Sequence, residues 1–140
     1  MSEDNKLTVN LYRDGSIESS HEVNLYSNKK QYDDYFFPRS SVKPMQVIPL
    51  LLEASNQNIE FTSEEIALFA ASHSGQVEHI ELLRETAKKF KVDLDNIICG
   101  PQRPFHDETA DNLLLIGEKY TKLHNNCSGK HLSMLIFSKL

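Results

Sequence analysis

Strand-like alternation is confined to the opening of this chain, and helical patterns follow it. Leu7 to Tyr12 alternate apolar and polar side chains, as a half-buried strand does. Asp14-Gly15 is a strong hairpin-turn signal, and Ile17 to Leu25 reads as a second, weaker strand. Two strands cannot make a stable sheet alone. Further strands are expected from a longer chain or from a partner. Strands first and helices afterwards predict an α+β fold, an antiparallel sheet with packed helices.

The stretch Tyr26 to Phe37 is rich in Asn, Lys, Asp and Tyr and reads as a loop closed by Phe36-Phe37-Pro38. A helix is expected from near Ser40 to Ala54, with Val42, Met45, Val47, Ile48, Leu51 and Leu52 on its apolar face. Pro44 suits its first turn, whereas Pro49 should kink or break it. Thr62 and Glu65 form a capping-box pattern ahead of Ile66, Ala67 and Phe69, and predict a second helix ending near Ser72 to Gly75. A third, Val77 to Phe90, puts Ile80, Leu83, Ala87 and Phe90 on one side. Ile97 to Cys99 is a short apolar piece before a loop. Ala110 to Ile116 reads as a fourth helix closed by Gly117. A polar loop from Tyr120 to Gly129 leads to a last helix from Lys130 or His131.

The 140 residues fit one domain. With 39% hydrophobic and 25% charged residues the composition is that of a soluble globular protein. A net charge of -5 argues against nucleic-acid binding, which needs clustered Lys and Arg. No apolar run is long enough for a membrane span. Met1 to Asn10 lack the apolar centre of a signal peptide, so a cytoplasmic address is expected. Cys99 and Cys127 are too few for a disulfide scaffold and should be thiols in a reducing compartment.

Three segments carry residues suited to chemistry. In Ser40-Ser41-Val42-Lys43, residues three apart at a helix start share a face, which would bring Ser40 Oγ beside the Lys43 amine. Serine is a weak nucleophile until a base takes its proton, and a lysine of lowered pKa can be that base. Ser27 to Lys30 repeats the spacing in a surface loop, and Ser40 alone also reads as an N-cap. Ala70 to Gly75 gathers Ser72, His73 and Ser74 at a helix end, either around a substrate or as a polar C-terminus with a Gly cap. His124 to His131 is the densest polar cluster. Its Gly and small residues leave backbone N–H groups free at a helix start, which suits an anion. Cys127 there is a thiolate nucleophile, a metal ligand or a buried thiol. Arg39, just before Ser40, is a loop residue or a grip for a substrate carboxylate.

Taken in order, these segments resemble the rhizobial, thermolabile type of L-asparaginase. Phe37 to Pro44 is similar to that family's Ser-x-x-Lys block. Ala71 to Gly75 with Glu78-His79 is similar to its second block, and Leu123 to His131 to its most distinctive one. Cys99-Gly100, Pro104 and His106 match an intermediate pattern. The resemblance implies a fold like that of serine β-lactamases and bacterial-type glutaminases, and hydrolysis of L-asparagine to L-aspartate and ammonia. It implies Ser40 as nucleophile, Lys43 as its base and Ser72 as a second hydroxyl able to relay a proton. Arg39, His73, Asn126 and His131 would lie near the substrate. Cys127 and Lys130 would hold a zinc-type metal with a further Cys. The expected partner is the small molecule L-asparagine; a homodimer is the assembly considered, with no nucleic acid and no membrane.

The chain departs from the family pattern in two places. It is shorter between His21 and Phe37, and the family continues past the position of Leu140. The chain is therefore expected to be the N-terminal half of that domain, without a further ligand Cys and a second Lys. The alternative reading is a truncated, inactive remnant that acts as an interaction module, since an unfinished sheet can pair with another chain.

Overall fold

The structure is a computed structural model in which residues 7–13, 15–23 and 39–140 are described. It divides into two compact units, residues 1–37 and residues 38–140. The expected loop from Tyr26 to Phe37, the end of the second strand at Leu25 and the shortened stretch before Phe37 lie outside the described residues.

The first unit contains a hairpin. Strand β1 (Leu7–Arg13) pairs antiparallel with β2 (Ser16–Val23), from Leu7 opposite Val23 to Arg13 opposite Ser16. The register shifts between Leu11 and Tyr12. Gly15 takes a φ of 77°, which the tight turn requires and which a Cβ disfavours. Val9, Tyr12 and Ile17 are exposed.

The second unit is helical. A 3-10 turn over Arg39–Val42 feeds helix α1 (Lys43–Asn56). Pro44 sits in the first turn of α1, where its missing N–H costs nothing. Of the kink or break expected at Pro49, the break does not occur, and α1 runs through it. A proline inside a helix costs about 3 kcal/mol. Burial of Val47, Leu50 and Ala54 offsets this, at about 1.5–3 kcal/mol for each larger side chain.

Helix α2 (Ser63–Ala70) starts at the expected box. Thr62 Oγ1 accepts the Glu65 N–H at 3.2 Å, and Glu65 Oε2 accepts the Thr62 N–H at 2.8 Å. Glu65 is buried, and its charge is met by Lys89 Nζ at 2.9 Å and by the Thr86 hydroxyl. Lys89 closes helix α3 (Val77–Lys89) and also lies over the rings of Phe61 and Phe90.

Helix α4 (Asp107–Leu115) begins three residues before Ala110, because the His106 ring caps it and Asp107 and Glu108 favour its N-terminus. Helix α5 (Ser128–Phe137) also begins earlier than Lys130. There Asn125 Oδ1 accepts the Cys127 N–H at 2.9 Å, and the Asn125 carbonyl accepts that of Ser128.

Helix α5 is the hub, packing on α1, α2 and α3. Leu132 and Ile136 from α5 meet Val47, Leu50, Leu68, Phe69, Ile80, Leu83, Ala87 and Ile97 in one core. Helix α4 is peripheral and buries only Ala110. The protein is thus helix-rich with a small antiparallel sheet, an α+β composition. Among the described residues no helix is long and apolar enough to cross a membrane.

Candidate active site

Lys43 is the first residue of α1 and is only 3% exposed. A buried amine needs hydrogen-bond partners to offset its desolvation. Its Nζ donates to the Ala71 carbonyl at 3.2 Å and to Ser72 Oγ at 2.9 Å. Neither acceptor is a carboxylate. Ser72 Oγ in turn donates to Ser40 Oγ at 3.3 Å. Ser40 and Lys43, three apart in sequence, are therefore joined through the hydroxyl of Ser72 from another element. Both serines are exposed while the amine beneath them is not.

Local structure explains the meeting. Helix α2 stops at Ala70, and Ala71 is extended at φ -116°, ψ 175°. The chain therefore leaves the helix with its Ala71 carbonyl and Ser72 side chain against Lys43. The turn that follows is held on two sides. His73 N–H donates to the Asn126 carbonyl at 3.2 Å, and His106 N–H donates to the Ser74 carbonyl at 3.0 Å. Gly75 has φ 78°, and a Cβ there would meet Pro104 Cβ at 3.0 Å and the His124 carbonyl at 3.1 Å. Only glycine suits that turn.

The expected residues fall in distinct places. Ser40, Lys43 and Ser72 share one hydrogen-bonded chain. Asn126 reaches the loop through its backbone carbonyl. His131 lies close enough to Lys43 to feel its charge; burial, then Lys130, then Lys43 lower its pKa. His73 is buried at 6% exposure, with both ring nitrogens in hydrogen bonds. Burial lowers its pKa to about 4, helped by the cationic character of His79, Lys43 and His124. Arg39 opens the 3-10 turn; its carboxylate grip concerns a side chain outside those described.

Two contributors were not singled out from the sequence. The Ala71 carbonyl is a backbone group that no residue type reveals. Ser128 Oγ lies 2.7 Å from His73 Nε2 and donates to the Leu123 carbonyl at 2.9 Å. Its only sequence signal is its place in the polar cluster before α5. The surface clefts between α1 and the Ile59–Phe61 segment, between α1 and α5, and beside Tyr120 are lined by none of these site residues.

A metal would need more donors than gather here. Cys127 precedes α5 and Lys130 follows three residues later. The Cys99 thiol donates to the Lys122 carbonyl at 3.6 Å. Burial pushes that thiol's pKa up, and the nearby Cys127 adds to the rise. Among the described residues no three His, Cys, Asp or Glu side chains converge as a metal site. Two thiols and an amine do not complete the tetrahedral set that zinc takes.

A buried lysine behind two linked serines is a recognisable arrangement for activating a hydroxyl nucleophile. The L-asparaginase II family matches this chain over residues 9–140, and the chain belongs to that family. The match supports an asparaginase-like function on a small-molecule substrate. No curated protein sequence matches the chain.

Proposed function

We propose that the chain hydrolyses L-asparagine to L-aspartate and ammonia, with Ser40 as the nucleophile. The observation that carries this reading is the run from Lys43 Nζ through Ser72 Oγ to Ser40 Oγ, at 2.9 and 3.3 Å. At rest the hydrogens point outward, from Lys43 to Ser72 to Ser40. Attack reverses them. With Lys43 as the base, Ser40 passes its proton to Ser72, and Ser72 passes its own to Lys43.

Ser40 Oγ then bonds to the side-chain amide carbon of asparagine. The C–N bond breaks as Lys43, through Ser72, returns the proton to the leaving nitrogen, and ammonia departs. Water, deprotonated by the same chain, cleaves the resulting aspartyl ester and restores Ser40. His131 and the positive start of α5 favour the substrate carboxylate near Lys43. Arg39 and Asn126 are assigned to the same role. The wider fold is read as β-lactamase/glutaminase-like, on the family match and this serine–lysine geometry.

Acid quenching during turnover, followed by peptide mass mapping, tests the covalent step. An aspartyl ester on the peptide holding Ser40 is the expected result. A mass shift on Cys127 instead, or turnover with no adduct at either residue in burst-phase samples, would overturn the assignment. A zinc-type metal would take Cys127 and Lys130 together with donors beyond this set. Cys127→Ser is then expected to weaken zinc binding, and unchanged binding would remove the assignment.

A second reading is supported by the exposure of Met45, Ile48, Leu52, Met134 and Phe137 along α1 and α5. It is a chain that keeps the site geometry without turnover and associates through these exposed apolar side chains, as a homodimer or with another chain. Sedimentation equilibrium beside the activity assay separates the two readings.

A further inference from the structure

Resting on the proposed serine–lysine chemistry, we infer that His73 is a positioning residue whose imidazole, held as the neutral Nε2–H tautomer between Gly75 and Ser128, latches the turn that carries Ser72 over Lys43. Two independent hydrogen bonds fix the tautomer. The Ser128 hydroxyl has one proton, and it goes to the Leu123 carbonyl at 2.9 Å. Ser128 Oγ can therefore only accept from His73 Nε2, at 2.7 Å. On the other side the Gly75 N–H points at His73 Nδ1 at 3.1 Å, so Nδ1 must offer a lone pair. A protonated ring would set Nδ1–H against the Gly75 N–H.

The latch ties three elements. Ser72 and Gly75 lie on either side of His73 in the turn after α2, Ser128 starts α5, and the ring of His79 from α3 stacks on the imidazole at 5.2 Å. The backbone repeats the tie, because the His73 N–H donates to the Asn126 carbonyl. The turn so held presents the Ala71 carbonyl and the Ser72 hydroxyl to Lys43. With both nitrogens engaged and the ring buried, His73 is withheld from substrate and from proton traffic. That differs from the substrate-contacting role its motif implied. Burial and the surrounding cationic groups, which lower its pKa, agree with a ring kept neutral.

The test uses the whole chain labelled with ¹⁵N in its histidine rings. Ring shifts at pH 7 are expected to show Nε2 protonated and Nδ1 bare for His73. A cation or an Nδ1–H ring would overturn the latch. In His73→Phe, which keeps bulk and the stack, kcat for asparagine should fall about 10–100-fold with KM within about threefold. His73→Gln, whose amide nitrogen reaches the Nε2 position, should recover about tenfold of that loss. An unchanged kcat in a folded His73→Phe chain would contradict the inference. Should His73→Phe not fold, Ser128→Ala removes the same acceptor and is expected to give the same split. If the wild-type chain releases no ammonia, the enzymatic reading fails by itself. The latch is then judged by amide exchange: protection of His73 and Gly75 should be lost in Ser128→Ala, and unchanged protection would sink it.

Discussion

At the scale of single residues, the proposed chemistry depends on three side chains and the order in which they touch. Ser72 bridges Ser40 and Lys43. Ser72→Ala should therefore cut kcat about 10²–10⁴-fold, the usual worth of a positioned proton carrier. Lys43→Met should cost at least as much, because it removes the end of the chain. Steady-state kinetics on folded variants checks both, and a Ser72→Ala chain as fast as wild type would show that Ser40 does not depend on the bridge. The Ser40–Lys43 spacing could be read from the sequence, whereas the relay role of Ser72 entered only through the family resemblance. The bridge itself was not legible. It depends on α2 ending at Ala70 and on an extended Ala71, and neither leaves a mark in residue type. His73 shows the same limit. A polar residue among polar residues reads as solvent-facing, whereas the ring is buried by partners that come from α3 and α5.

At the scale of elements, the site depends on how α2 and α5 meet. A Cβ on Gly129 would come within 2.2 Å of the Leu68 carbonyl, a backbone atom that cannot swing aside. Gly129→Ala should destabilise by about 1–3 kcal/mol, as overpacking does, and should lower activity through the displaced α5 start. Chemical denaturation reads the first effect. At the other end of α2, Thr62→Ala removes one half of the capping box and should cost about 1 kcal/mol with little change in kcat.

The latch also gives a pH dependence. His73 has a folded-state pKa of about 4 and an unfolded one near its ordinary 6.5, so the unfolded chain binds the extra proton first. The contribution is full above pH 6.5 and is lost as pH falls towards 4. Lys43, His79 and His124 face the ring and act in the same direction. Denaturation curves across this window should be steeper in pH for wild type than for His73→Phe, and equal slopes would contradict the assignment.

Helix starts were partly legible at this scale. The Thr62–Glu65 box was readable because its bonds are local. The early starts of α4 and α5 were not, since a His ring caps α4 and α5 starts after Cys127 with no side-chain cap. Pro49 does not end α1, for the opposite reason. Burial of Val47, Leu50 and Ala54 outweighs a local rule.

At the scale of the molecule, α5 is both the centre of the core and the floor of the site. Leu132 is fully buried on α5, which packs against α1, α2 and α3. Leu132→Ala should cost about 2–5 kcal/mol, and the site should be lost in the same thermal transition as the core. A near-UV signal and activity that decay at different temperatures would show the two to be uncoupled. The order of strands before helices was legible from periodicity alone. Which faces the exposed apolar residues of α1 and α5 serve was not, because periodicity reports that a face is apolar and not what covers it.

Attack of Ser40 on asparagine is tested by ammonia release from L-asparagine by the purified chain and by its Ser40→Ala variant. Release by the wild-type chain and a fall in the variant on the order of 10⁴-fold or more are expected. Equal release by both chains, or a folded wild-type chain that releases none, would contradict it.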